Sequence, residues 1–346
     1  MKFFKYLLYL LILIGMITCQ RTNESDRLKQ DRKDLVDNRS RAVCYSGFRS
    51  GQHPDRGNGA INPGYEEVLE DLTILAHHSD FHLIRVYDSG ENSRMVLKVI
   101  EENDLEIKVM LGIWLRAEIS THETCEWLTE PIPEQVLLKN KVLNREEIHQ
   151  GIQLANQYKD IIIAVNVGNE ALVDWNDHKV SPDTIISYVK EVKQSIEQPV
   201  TVAENYKWWA DHGMALAEVV DFVSIHTYPL WEGKDINQGM DYTIENVLEV
   251  RNALPGARLV ISEAGWTTVA SEFGDRASEE KQKIYFEALM KWAASKNITT
   301  FFFEAFDEDW KGDPGNMMGA EKHWGLFTVD RKPKKVMEKY YSLTQE

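Results

Sequence analysis

Cysteine and basic residues are both scarce in this chain of 346 residues, and each scarcity excludes a class of protein. Three cysteines, Cys19, Cys44 and Cys125, are too few for a small scaffold held together by disulfides. Cys44 lies in a predicted core strand, where a free thiol is the commoner state, so we predict free thiols at Cys44 and Cys125. The 39 basic residues face 55 acidic ones, a net charge of −16. A nucleic-acid-binding surface needs a basic stripe, so we expect no nucleic acid partner.

Motifs for metals and dinucleotides are also missing. His77, His78 and His82 are close in sequence, but the first two end a predicted helix and the third lies in a predicted strand. We therefore expect no metal site and no cofactor. No glycine-rich phosphate loop follows the first predicted strand, which removes the usual reason to expect a doubly wound open sheet.

The N-terminus has the pattern of a targeting segment. Lys2 and Lys5 precede an almost wholly apolar run over residues 7–17, short for a membrane span of about 20 residues. Residues 1–19 resemble a bacterial lipoprotein signal with Cys19 as the lipidated residue, although Thr18 stands where Gly, Ala or Ser is usual. Ordinary cleavage or an uncleaved anchor are the alternatives. Residues 20–40 are polar and charged, which predicts a flexible tether. Together with the signal pattern, this predicts an exported lipoprotein, periplasmic or at the cell surface, that contacts the membrane only through its lipid.

From residue 41 onward, apolar strands alternate with amphipathic helices. The predicted strands are 42–48, 81–88, 106–115, 161–170, 199–206, 222–229, 258–266 and 299–307. The predicted helices are 64–76, 93–102, 145–158, 182–196, 214–220, 241–254, 278–295 and 334–341. Eight strand–helix units without a composition break predict an α/β protein with a single (β/α)8 TIM barrel over residues 41–346, which we expect to be a monomer. Long loops over 116–144 and 308–332 follow the third and eighth strands, on the face where barrels build their sites.

The fourth predicted strand, IIIAVNVGNE over residues 161–170, organises the candidate site. Its β-branched residues predict a buried strand, and the strand ends at Gly168, Asn169 and Glu170. A carboxylate at the carboxyl end of a buried strand is costly unless it has a function. The seventh strand, RLVISEAGW, delivers Glu263 in the same way. We expect the two glutamates to face each other across one active site, with a salt bridge at the barrel rim as the alternative for either alone.

The remaining polar residues at strand ends are mainly carboxylates and aromatics, a lining that suits a neutral polyhydroxylated ligand. Two opposed glutamates can hydrolyse a glycosidic bond, one as the acid and the other as the ionised nucleophile. Asn169 beside Glu170 predicts a contact with a sugar 2-hydroxyl. Tryptophan faces suit sugar rings. The preferred platforms are Trp231, Trp266 and Trp310; further candidates are Trp114, Trp127, Trp208 and Trp209, the last two with core packing as the alternative.

Seven motifs run from the first predicted strand to the last. They are CYSGFR (44–49), RVYD (85–88), NVGNE (166–170), HTYP (226–229), SEAGW (262–266), FEAFDEDWK (303–311) and EKHWGLF (321–327). Together they resemble glycoside hydrolase family 17, the β-1,3-glucanase family among the retaining (β/α)8 glycosidases, over residues 42–335. His226 stands where plant members often have Asn, and Thr267 replaces a frequent Pro.

The resemblance implies a role for each matching residue. Glu170 would be the general acid/base and Glu263 the nucleophile. Substrate contacts would come from Tyr87, Asn169, His226, Tyr228, Trp231, Trp266 and Trp310, with a charged cluster of Glu308, Lys311 and Glu321 around the nucleophile. In that cluster Lys311 would hold Glu263 ionised. The implied activity is retaining hydrolysis of β-1,3-glucan of the laminarin type. The alternatives are a β-1,3-glucanosyltransferase, a hydrolase of another β-glucan such as a mixed-linkage one, and a non-catalytic glycan-binding lipoprotein. The resemblance does not distinguish endo from exo action.

Overall fold

The computed structural model describes residues 28–31, 41–55 and 59–341, and a closed barrel lies at its centre. Eight parallel strands pair in chain order, and the first pairs with the last. They are β1 Arg41–Cys44, β2 Leu83–Arg85, β3 Lys108–Ile113, β4 Ile162–Asn169, β5 Val200–Asn205, β6 Val223–Thr227, β7 Leu259–Ala264 and β8 Thr300–Phe302. The predicted (β/α)8 barrel is confirmed. Each strand is shorter than predicted because pairing stops where the chain turns into the loops of the barrel mouth.

Helices cover the outside of the barrel. They are α1 Tyr65–Thr73, α2 Glu91–Glu102, α3 Glu134–Gln157, α4 Pro182–Ser195, α5 Tyr206–His212, α6 Met214–Ala217, α7 Ile236–Ala253, α8 Glu279–Lys296 and α9 Glu338–Tyr341. Helix α4 starts as expected, because Pro182 is its first residue and the Ser181 side chain accepts from the Thr184 N–H. Helix α5 was not predicted; the Asn205 side chain caps it directly after β5.

Helix α3 corrects one of the predicted loops. It begins at Glu134, so the predicted loop over 116–144 is wrong from residue 134 onward. Val136, Leu138 and Val142 in this first part are exposed, because the helix extends past the sheet and has no core to cover there. The predicted loop over 308–332 is irregular apart from the short 3-10 turn Ala320–Lys322.

Residues 28–31 lie against the end of the barrel opposite the mouth. Leu28 is fully buried. The Gln30 side chain donates to the Leu259 carbonyl oxygen at 2.9 Å and accepts from the Leu259 N–H at 2.7 Å. Asn297 Nδ2 donates to the Gln30 carbonyl oxygen at 2.6 Å. These four residues thus depart from the flexible tether predicted over 20–40, whereas Cys19 and the rest of the segment 1–19 lie outside the described residues.

Two further findings bear on the sequence predictions. Cys44 and Cys125 are buried free thiols, as predicted. Burial raises the pKa of Cys44 to about 12, so its thiol is unreactive at neutral pH. In the three described ranges no helix combines the length and the apolar character needed to cross a bilayer.

Candidate active site

The tip of β4 presents Glu170 on an unusual backbone turn. Gly168 has φ of 84° and Glu170 has φ of 46°, a left-handed value that a non-glycine residue rarely adopts. Strain of this kind concentrates at functional sites. The Glu170 N–H donates to the Ala203 carbonyl oxygen at 2.9 Å, and Asn176 Nδ2 donates to the Glu170 carbonyl oxygen at 3.0 Å. These bonds hold the turn, and the Glu170 side chain remains 20% exposed.

Glu263 lies deeper, at the end of β7, and is 5% exposed. Its Oε1 accepts from Arg85 Nη1 at 2.5 Å and from the Tyr87 hydroxyl at 3.1 Å, and its Oε2 accepts from the Tyr228 hydroxyl at 2.6 Å. Burial alone would raise the pKa of Glu263. The neighbouring His226 and Arg85, together with the Tyr228 hydroxyl, outweigh burial and lower that pKa below its ordinary value. Glu263 is therefore held ionised.

His226 lies between the two glutamates. Its Nδ1 is 2.9 Å from Glu170 Oε1 and 3.5 Å from Glu263 Oε2, so these oxygens are separated by at most the sum of the two distances. That bound is compatible with the separation of about 5–5.5 Å between the carboxyl groups of retaining glycosidases. Arg85 Nη1 lies 3.4 Å from His226 Nε2. His226 Nδ1 is thus the ring nitrogen directed at both carboxylates.

Glu170 and Glu263 thus face each other in the structure, as predicted. The position of His226 differs from the predicted one. The resemblance implies it as a substrate contact, whereas it is fully buried behind the two carboxylates. Its Nδ1 contacts both carboxylates instead.

Sequence reasoning missed Arg85, which is fully buried at the end of β2. Besides Glu263, its guanidinium bonds to Asn169 Oδ1 and lies 4.6 Å from the centre of the Tyr87 ring. Asn169 Nδ2 is consequently the atom of that amide left to donate to a ligand. Burial acts to lower the pKa of Arg85, but Tyr87 and Glu263 raise it above the ordinary value. A lone arginine in an apolar strand was the available signal, because a buried charge requires a partner.

Lys311 lies in a separate buried cluster. Its Nζ bonds to Glu304 and is 2.7 Å from Glu308 Oε2, while the Ser46 hydroxyl donates to Glu308 Oε1 at 2.6 Å. The expectation that Lys311 holds Glu263 ionised is therefore wrong, because Lys311 pairs with Glu304 and Glu308, whereas Arg85 pairs with Glu263. Burial raises the pKa of Glu304 well above its usual value. Burial acts likewise on Glu308, but Lys311 and Ser46 outweigh it and lower the pKa of Glu308.

Glu321 lies near both groups. Burial raises its pKa, Lys311 opposes that rise, and repulsion from Glu263 and Glu170 adds to it. Of the predicted charged residues, Glu321 alone thus interacts both with Lys311 and with the two facing carboxylates. Among the described residues, no group of three His, Cys, Asp or Glu side chains could hold a metal ion.

The three preferred tryptophans have different positions. Trp266 is fully buried, and its Nε1 donates to the Arg276 carbonyl oxygen at 2.9 Å. Its predicted place beside the cleaved bond is therefore wrong, because the ring packs behind β7 against the helices. Trp231 is 45% exposed and packs edge-on to Phe273 at 4.6 Å, as a sugar platform requires. Trp310 is half-buried. The core-packing alternative is correct for Trp209, which is fully buried.

Comparison with known proteins identifies the family to which this site belongs. The chain is 27% identical to a glucan 1,3-beta-glucosidase of Arthroderma benhamiae over 310 residues, covering 83% of this chain and 88% of that protein. It is 27% identical to a probable glucan endo-1,3-beta-glucosidase of Aspergillus clavatus, of which it spans 39%. The crystal structure of an endo-laminarinase from Formosa Hel1_33_131 is similar, with a TM-score of 0.75, 26% identity, and coverage of 91% of this chain and 90% of that one.

Residues 42–325 match the BtgE/BtgC glycoside hydrolase domain, and this range includes both facing carboxylates and, apart from Arg41, all eight strands. The resemblance to glycoside hydrolase family 17 is confirmed by this match and by the relatives. The chain belongs to the BtgE/BtgC glycoside hydrolase family.

Proposed function

We propose that this protein is a retaining hydrolase of β-1,3-glucan, with Glu170 as the general acid/base and Glu263 as the nucleophile. The observation that carries the proposal is the contact of one imidazole nitrogen with both carboxylates, at 2.9 Å and 3.5 Å. Their surroundings separate the roles. Glu263 is buried and held ionised by His226, Arg85 and Tyr228, as a nucleophile requires. Glu170 is more exposed, as is required of a group that exchanges protons with the leaving group and with water.

The geometry supports two displacements at the anomeric carbon. In the first, a Glu263 oxygen forms a bond to that carbon while the glycosidic oxygen leaves with the proton of Glu170. In the second, the Glu170 carboxylate takes a proton from water, the water oxygen attacks the anomeric carbon, and the bond to Glu263 breaks. Two inversions give net retention. Asn169 Nδ2, oriented by Arg85, donates to the sugar 2-hydroxyl during both steps.

The choice of β-1,3-glucan rests on the relatives and on the lining of the mouth. Two relatives are named for 1,3-beta-glucosidase activity, and the similar solved structure is an endo-laminarinase. The exposed Trp231 offers a flat face to a neutral sugar.

Incubation of the purified protein with laminarin tests the proposal. We expect reducing ends to be released with retained anomeric configuration, as followed by NMR of the first products. Glu263→Ala should abolish release, and Glu170→Gln should abolish hydrolysis while laminarin binding persists. No release by the wild type under conditions where a known family member works would refute the proposal. Parallel assays on lichenan and cello-oligosaccharides report the linkage, and products longer than the substrate would reveal glycosyl transfer.

We also propose that the barrel domain is an exported, monomeric lipoprotein attached through Cys19. The basic, apolar and cysteine-terminated order of residues 1–19 supports this. Labelled palmitate should be incorporated into the wild type and not into Cys19→Ala, and absence of label in the wild type would contradict lipidation. Size-exclusion chromatography of the soluble domain tests the monomer.

A further inference from the structure

Two mouth loops are joined into one wall beside Glu170. We call residues 116–133 and 171–180 the β3–β4 wall. The Glu118 and Ile119 N–H groups both donate to the Lys179 carbonyl oxygen, at 2.9 and 3.0 Å. The hydroxyls of Thr121 and Thr124 donate to the carbonyl oxygens of Asn176 and Asp174. Because each loop supplies partners for the other's backbone, the wall is a fixed surface.

The wall is bonded directly to the tip of β4. Asn176 Nδ2 donates to the Glu170 carbonyl oxygen at 3.0 Å, and its distance to Glu170 Oε2 is 3.4 Å. His178 Nε2 donates to the Asn169 carbonyl oxygen at 2.8 Å, and the ring stacks on Trp114 at 4.6 Å. The wall is therefore continuous with the proposed catalytic site.

Trp127 lies on this wall next to Asp177. His178 Nδ1 lies 2.9 Å from Asp177 Oδ1. His178 and, less strongly, Trp127 lower the pKa of Asp177. The indole ring of Trp127 is nevertheless 59% exposed. A large aromatic residue that is exposed on a fixed surface has the form of a ligand platform rather than of a core residue.

We propose that Trp127 forms a further glucan subsite on the β3–β4 wall and stacks on a glucosyl unit beyond those that contact Glu170 and Glu263. This inference rests on the proposed function. The occupant is an uncharged sugar ring, because a tryptophan face offers apolar contact and no ionic partner. Trp175, which is 45% exposed on the same wall, extends this surface.

The test compares kcat/KM on laminari-oligosaccharides of three to seven units for the wild type, Trp127→Ala and Trp127→Phe. For the wild type, kcat/KM should rise with chain length until the subsite is filled. Trp127→Ala should lose about tenfold on the longest substrates and less than about twofold on laminaritriose. Trp127→Phe retains an aromatic face without the N–H and should be intermediate. Ile284→Ala, 55% exposed on α8, is the matched control and should follow the wild type.

An unchanged length profile in Trp127→Ala, with the wild type active, would overturn the subsite and leave the proposed function intact. An equal loss on all lengths would overturn it too, because the effect would then be on the folded site as a whole. Inactivity of the wild type would refute the proposed function instead. In that case, native gel electrophoresis in gels that contain laminarin tests the subsite independently of catalysis. Weaker retardation of Trp127→Ala than of Ile284→Ala would support the subsite, and equal retardation would overturn it.

Discussion

Arg85 donates a hydrogen bond to Glu263 and, together with His226, lowers the pKa of that carboxyl. Arg85→Met removes a donor at 2.5 Å and a positive charge that lowers the pKa of Glu263. The pKa of Glu263 should therefore rise, and the acidic limb of the pH profile of kcat/KM should move to higher pH. We also expect kcat to fall by about a hundredfold or more. Initial rates on laminarin between pH 3 and 8 measure both effects.

Arg85→Lys is the control for this substitution, because it retains the charge and loses the paired geometry. Its acidic limb should stay closer to that of the wild type than the limb of Arg85→Met. An unchanged acidic limb in Arg85→Met, in a protein with a wild-type circular dichroism spectrum, would mean that Glu263 does not depend on Arg85.

The role of Glu170 can be separated from that of Glu263 by the leaving group. Glu170→Ala should lose most activity on laminarin, which needs protonation of a poor leaving oxygen, and much less on a dinitrophenyl β-glucoside, whose leaving group departs without an acid. Glu263→Ala should lose activity on both substrates. Equal losses on both substrates for Glu170→Ala would contradict the assignment of Glu170 as the acid.

Lys311 should affect stability through Glu304 and Glu308. In the wild type the lowered pKa of Glu308 contributes stability above the ordinary glutamate pKa of about 4.3, and this is lost as pH falls. In Lys311→Met both carboxyls lose the shared cation, so the pKa of Glu308 should rise above its unfolded value, and the pKa of Glu304, which is already raised, should rise further. The variant's stability should then be present at low pH and decline as pH rises from 5 to 8. Urea midpoints across that range measure it; a pH trend parallel to the wild type would contradict the proposed pairing.

At the scale of single elements, the segment Leu28–Asp31 acts as part of the barrel. Leu28→Ala should destabilise the protein by roughly 2 kcal/mol, because a fully buried side chain is truncated. Leu138→Ala is the matched control, since Leu138 is 55% exposed on α3 and should change stability by less than about 0.5 kcal/mol. Urea midpoints at unchanged slope measure both. Equal midpoints for the two variants would show that the segment contributes nothing.

The elements also show which features can be predicted from sequence. Strand β4 ends in a carboxylate that faces Glu263, as expected. The strand itself was predictable because a parallel strand that is buried on both faces must consist almost wholly of apolar residues. The start of α3 was not recognisable, since Val136 and Leu138 cover no core and form no buried stripe. The partners of Arg85 come from β4 and β7 and exist only when the barrel closes. The side of β7 on which Trp266 packs likewise depends on helices distant in sequence.

At the scale of the whole molecule, a buried ion pair joins the beginning and the end of the barrel. Arg331 donates to both carboxylate oxygens of Asp71 in α1, at 2.7 and 2.6 Å, and to the carbonyl oxygen of Gly47 after β1 at 2.9 Å. Arg331→Met leaves Asp71 buried with less compensation and should cost about 3–5 kcal/mol. Arg94→Met, at an exposed arginine of α2, is the control. A loss of similar size in both variants would contradict this role.

The docking of Leu28 at the closed end of the barrel has a geometric consequence for a protein held by a lipid at Cys19. Eight residues lie between these positions, and the nine steps from Cys19 to Leu28 span at most about 30 Å in a fully extended chain. Leu28 lies at the face opposite the mouth, so a lipid at Cys19 would be confined to within that distance of the closed end of the barrel. The domain would then lie with the closed end of the barrel toward the bilayer and the mouth away from it. In that orientation the mouth is accessible to a polymer that is too large to approach the lipid surface.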